Sequence, residues 1–69
     1  MKYGARNQVK GKVKSIKEGS IMSEVLVELP GGGEMTSVMT ISSLRDLELQ
    51  VGDEVKVVAK AINVLLVKE

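Results

Sequence analysis

The stretch Glu34-Met35-Thr36-Ser37-Val38-Met39-Thr40-Ile41-Ser42-Ser43-Leu44-Arg45-Asp46-Leu47 changes its period halfway along. From Glu34 to Ile41 the side chains alternate, with Met35, Ser37, Met39 and Ile41 set against Thr36, Val38 and Thr40. Alternation is the period of a strand. Both sets carry apolar residues, so this strand is expected to be covered on both sides or to lie at a subunit interface. From Ser42 to Leu47 the pattern becomes one helical turn. A Ser can cap it, and Leu44 and Leu47 stand three apart on one side.

Working outward, Pro30-Gly31-Gly32-Gly33 precedes the strand and reads as a hairpin loop. Before the loop, Ile21 to Leu29 alternates again, with Ile21, Ser23, Val25, Val27 and Leu29 opposed by Glu24 and Glu28. Lys17-Glu18-Gly19-Ser20 is a turn. Ahead of it, Val9 to Ile16 sets Val9, Gly11, Val13 and Ser15 against Lys10, Lys12, Lys14 and Ile16. Downstream, Val51-Gly52-Asp53-Glu54 is a turn into a fourth strand, Val55 to Ala61. Ile62-Asn63 breaks the alternation, and Val64 to Val67 reads as a fifth strand. The 11 Val and 4 Ile favour strands throughout. Five strands with one short helix between the third and fourth is the order of an OB-type barrel. A small open sandwich has the same pattern.

The chain has 69 residues, no Cys, no His, no Trp, no Phe and one Tyr. That is one small domain, which on folding buries only about 60% of the surface its unfolded chain exposes. Such scaffolds need a staple. Disulfides are excluded and the usual zinc ligands are missing, so self-association is expected. Catalysis is not expected, because general acid–base chemistry near neutral pH lacks His and nucleophilic triads lack their members. The formal net charge of +1 does not match a generic nucleic-acid binder. Neither a secretory leader nor a spanning segment is expected, since the longest apolar run, Val64 to Val67, falls far short of the ~20 residues a membrane helix needs. The expected compartment is the cytoplasm.

Four features bear on function. The Gly31-Gly32-Gly33 triplet lacks the Lys and helix of a phosphate loop, so the hairpin reading is preferred. Lys10, Lys12 and Lys14 project to one side. They read as a solvated outer face, because single-strand binders stack bases on aromatics and Tyr3 alone is available here. Thr36, Ser37, Thr40, Ser42 and Ser43 form a hydroxyl set that serves turns and caps equally well. Lastly, Ala5-Arg6-Asn7-Gln8 is dense in donors, and Lys60 stands in a mostly apolar run. Arg6, Lys60 and the Thr40 and Ser43 hydroxyls would together make a donor-only cluster suited to a deprotonated oxyanion. Spacing does not establish that they meet.

Ala5-Arg6-Asn7-Gln8, followed by Lys10-Gly11-Lys12-Val13, resembles the S-A-R-N-Q-x-x-G-x-V opening of the molbindins, small molybdate-binding proteins built from one Mop (TOBE-type) domain. Glu24-Val25, Pro30-Gly31-Gly32, Thr36-Ser37-Val38-Met39-Thr40, Leu49-Gln50-Val51-Gly52-Asp53-Glu54-Val55 and Lys60-Ala61-Ile62-Asn63-Val64 extend the match over the whole chain. The resemblance implies that residues 1–69 are a single Mop domain, an OB-like barrel assembling as a hexamer, a trimer of dimers. It implies molybdate, and also tungstate, held between subunits for storage or homeostasis, with no catalytic cofactor and no membrane or nucleic-acid partner. Carried over residue by residue, the oxyanion contacts fall on Ala5, Arg6, Thr40, Ser43, Lys60 and Ala61. The family's first Ser is Gly4 here, so that hydroxyl is missing. A second class of interface site falls on Gly19, Ser20 and Ser37. The near absence of aromatics favours a bare oxyanion over a pterin. The competing reading is an OB-type module for single-stranded RNA.

Overall fold

The computed structural model describes residues 6–68. Four strands form one antiparallel sheet: β1 (Asn7–Glu18), β2 (Met22–Glu28), β3 (Glu34–Thr40) and β4 (Glu54–Ala59). Their order is β3-β2-β1-β4. The helix α1 (Ile41–Asp46) follows β3 directly, and a 3-10 turn (Ala61–Asn63) follows β4.

The sheet curls because β1 is shared unequally. Its first half, Asn7 to Lys12, pairs with β4, while Lys12 to Glu18 pairs with β2. Gly11 lies at the changeover. A Cβ there would overlap Val27 Cγ1 and stand 3.0 Å from the Glu28 carbonyl oxygen, so only Gly lets the strands approach this closely. A bulge follows: Val13 faces Val27, but the next paired residue, Ser15, faces Leu26. The extra residue, Lys14, shifts the alternation by one.

That shift corrects the sequence reading. Ile16 was expected among the lysines and Ser15 beside Val13. Past the bulge Ile16 faces Val25 and packs on the core, while Ser15 turns out to solvent. The core is Val13, Val25, Val27 and, from α1, Leu44. Ile16, Leu29, Met39, Leu49, Val55 and Val57 pack around it.

The helical turn forms, with two differences. Its cap is Thr40 rather than a Ser, and it starts at Ile41. Leu47 does not join Leu44 in the core. It is the C-cap and stays exposed, because Glu48 takes a left-handed conformation (φ 53°) that returns Leu49 to the interior instead. The hairpin reading of the glycines holds: Gly31 and Gly32 both have positive φ, and Leu29 N–H donates to Gly33 O at 2.7 Å.

Strand four ends at Ala59, two residues earlier than expected, because Asn63 N–H donates to Lys60 O and Val64 N–H to Ala61 O, turning the chain. Among the described residues there is no fifth strand. Val64 to Val67 has no ladder partner among them, and Leu65 and Leu66 are 88% and 94% exposed. Four strands leave the concave side open as a cleft of about 450 Å³, lined by Val13, Val27, Met39, Leu49, Val55 and Val57 among others. No helix among the described residues is long and apolar enough to cross a membrane.

Candidate functional site

Five of the six residues expected to hold the oxyanion are described, and they fall into two groups. Thr40 and Ser43 form the first. Thr40 ends β3 in an extended conformation and caps α1, its Oγ1 accepting from Ser43 N–H at 3.1 Å. The same Oγ1 lies 3.0 Å from Ser43 Oγ. Two hydroxyls are thus locked side by side at an exposed helix start, and one O–H of the pair stays available to a ligand.

Arg6 and Lys60 form the second group. The last pair of the β1·β4 ladder is Asn7 with Ala59. Arg6 and Lys60 are the next residues outward on the two strands, so the ladder delivers both cations to one corner, and both are exposed. Ala61 follows at the start of the 3-10 turn. Ala5 lies outside the described residues.

These groups sit at diagonally opposite corners of one chain. The ladder registers put Thr40 beside Met22, at the Glu18 end of β1, on the β3 edge. Arg6 and Lys60 are at the Asn7 end, on the β4 edge. β1 is 12 residues long, so its ends stand roughly 35–40 Å apart along the strand path.

The second set also divides. Gly19 and Ser20 occupy the turn before β2, where Gly19 N–H donates to Met22 O at 2.8 Å, close to the Thr40 corner. Ser37 faces Val25 in mid-strand and lines the concave cleft.

The lysine face is interleaved with carboxylates. Lys12 is in register with Glu28 on one side and Glu54 on the other, and Lys14 Nζ is 2.7 Å from Glu34 Oε2. That hydrogen bond, and then the charge of Glu34, hold the Lys14 ammonium above the usual lysine range. Lys10 faces Lys56. Among the described residues no cluster of three acidic or metal-ligating side chains is available to a cation.

The chain is thus a small curled antiparallel domain with a hydroxyl pair at one corner and two cations at the other. The chain belongs to the TOBE domain family, whose match runs over residues 4–66. It is 39% identical over 66 residues to molybdenum-pterin-binding protein 3 of Clostridium pasteurianum, covering 96% of this chain and 97% of that one. Among solved structures it resembles a molybdate binding protein from Sporomusa ovata, with a TM-score of 0.92 and 34% identity over 99% of this chain and 100% of that one. It also resembles ModG, described as a cytoplasmic molybdate-binding protein with molybdate bound. There the identity is 46%, the TM-score 0.83, and the match spans 88% of this chain and 43% of ModG.

Proposed function

We propose that this protein binds molybdate, and also tungstate, as a non-catalytic Mop-type domain serving storage or homeostasis in the cytoplasm. The whole chain acts as one domain. Arg6 and Lys60 supply charge, Thr40 and Ser43 supply hydroxyl donors, and the backbone N–H groups of Ala5 and Ala61 complete the cage. Gly19, Ser20 and Ser37 belong to a second class of interface site.

The observation that carries this reading is the division of the donors between two far corners. A hydroxyl pair in one chain and a cation pair in its neighbour make a complete cage only when chains associate. The rest of the molecule supports association. Ile62, Val64, Leu65, Leu66 and Val67 are all exposed, and burying an apolar side chain of this size contributes about 1.5–3 kcal/mol. In the assembly the Val64 to Val67 segment provides the fifth strand of the barrel and the open apolar cleft is covered. A hexamer, as a trimer of dimers, is the expected product.

A single-stranded RNA role has less support, since carboxylates interleave with the lysines and no aromatic ring occurs among the described residues. Titration calorimetry with sodium molybdate tests the proposal: saturable binding is expected, and absence of heat and of any thermal stabilisation would end it.

A further inference from the structure

Among the described residues, Ser23 is the one buried polar side chain, 2% exposed and in phase along β2 with the buried Val25 and Val27. Its neighbours on that face of β2 are valines, and nothing about packing calls for a hydroxyl there. The hydroxyl does have a use. Ser23 Oγ donates to the Met39 carbonyl at 3.0 Å, across the ladder from its own position.

Met39 O belongs to the same rigid peptide unit as the nitrogen of Thr40. On the other side, Ile41 N–H, in the peptide unit of the Thr40 carbonyl, donates to Ile21 O at 2.8 Å. Both planes flanking Thr40 are therefore tied to the chain around the start of β2. Those two planes set Thr40 at φ −67° and ψ 153°, and the Ser43 N–H bond then directs its Oγ1. The direction of the hydroxyl pair is thereby fixed from beneath by a buried serine. The Ile21 anchor is a carbonyl, which no side-chain change removes; the Ser23 anchor is removable.

We propose that Ser23 is a positioning residue for oxyanion binding: its hydroxyl holds the Met39–Thr40 peptide so that the Thr40–Ser43 pair presents its available O–H without reorganising. This rests on the reading of Thr40 and Ser43 as ligand contacts. A bond to a charged ligand is worth tenfold to a hundredfold in affinity, and misaiming the pair forfeits part of that.

The test uses the full chain in its native assembly, with molybdate as the probe and sedimentation to confirm equal oligomeric state. Ser23→Ala should weaken binding about fivefold and lower the ligand-free Tm by several degrees, as expected for loss of one buried hydrogen bond. In a Thr40→Ala background the same change should cost less than about twofold, because the residue it positions is gone. Ser23→Thr, which keeps the hydroxyl, should restore affinity; should its extra methyl prevent folding, the Ser23→Ala cycle decides alone. Val25→Ala controls for a loosened core, with a larger drop in Tm and near-parental affinity. Undiminished affinity in Ser23→Ala, or an equal loss with and without Thr40, would overturn the inference. Unchanged affinity in Thr40→Ala itself would remove the corner from the site and sink the reading on which the inference rests.

Discussion

The two corners of the chain are built on different principles. At the end of β3 the donors are neutral, short and held: Thr40 is fixed by the Ser43 N–H and by hydrogen bonds on both sides of its backbone. At the start of β1 the groups are charged, long and exposed, delivered by ladder register alone. The held corner supplies geometry at little entropic cost. In the proposed site the charged corner would supply attraction, with its two side chains ordering as the ligand arrives. An oxyanion site needs both, because a dianion must be neutralised and its four oxygens must also be told apart from those of other tetrahedral ions.

The largest expected effect is at the charged corner. Lys60→Ala and Arg6→Ala should each weaken molybdate binding by about tenfold to a hundredfold, with no loss of ligand-free Tm, since neither side chain touches the core. Lys10→Ala, on the interleaved face, should leave affinity unchanged. Calorimetry that finds all three alike would erase the distinction between the corners.

The held corner should behave otherwise. Thr40→Ala removes a proposed ligand contact and a helix cap together, so it should weaken binding and also lower stability by about 1 kcal/mol. Thr40→Ser keeps both functions and should recover both. If Thr40→Ala left the Tm untouched while binding fell, the hydroxyl would not be doing the structural work assigned to it.

Selectivity gives a third contrast. Molybdate carries no proton at neutral pH, whereas phosphate is partly protonated and would leave one donor facing a hydrogen, a mismatch worth roughly 1–3 kcal/mol when buried. Sulfate has the charge but shorter bonds. At a hundredfold excess over Kd the bound ligand should stabilise the assembly by about 2.7 kcal/mol per site. The Tm should rise most with molybdate or tungstate, less with sulfate and least with phosphate. Equal shifts at matched ionic strength would mean generic screening.

The smallest effect concerns Lys14 and Glu34. Because Glu34 raises the Lys14 pKa in the folded chain, the pair contributes stability below the ordinary lysine pKa and loses it as pH rises through the folded value. Both groups are exposed, so this contribution is slight. Glu34→Gln should flatten a small decline in Tm at strongly alkaline pH and leave molybdate affinity unchanged.

Much of this was legible in the residues. Strict alternation marked β2, and Pro30 to Gly33 marked its hairpin. The change of period read after Ile41 marked α1 to within one residue, though not which hydroxyl caps it. The bulge at Lys14 was hidden, because a strand reading Val13-Lys14-Ser15-Ile16 alternates acceptably in either phase until Val25 claims Ile16. The Val64 to Val67 run has strand composition but no ladder partner among the described residues, and composition cannot supply one. The candidate contacts came from the likeness of the Ala5 to Val13 opening. Their division into two corners needed the ladder registers, which no spacing in the sequence encodes. Ser23 did leave a signal, as a hydroxyl in phase with Val25 and Val27.

The central claim is that one site takes its hydroxyls and its cations from different chains. Complementation measures this directly. A chain carrying Arg6→Ala and Lys60→Ala is mixed with one carrying Thr40→Ala and Ser43→Ala, and the two are dissociated and reassembled together. Each alone should bind molybdate too weakly to detect. Random association should restore both corners at roughly a quarter of the sites, seen as parental-affinity binding at reduced stoichiometry. Mixed assemblies that form yet recover no high-affinity site would contradict the account, because that is the behaviour of a site contained within a single chain.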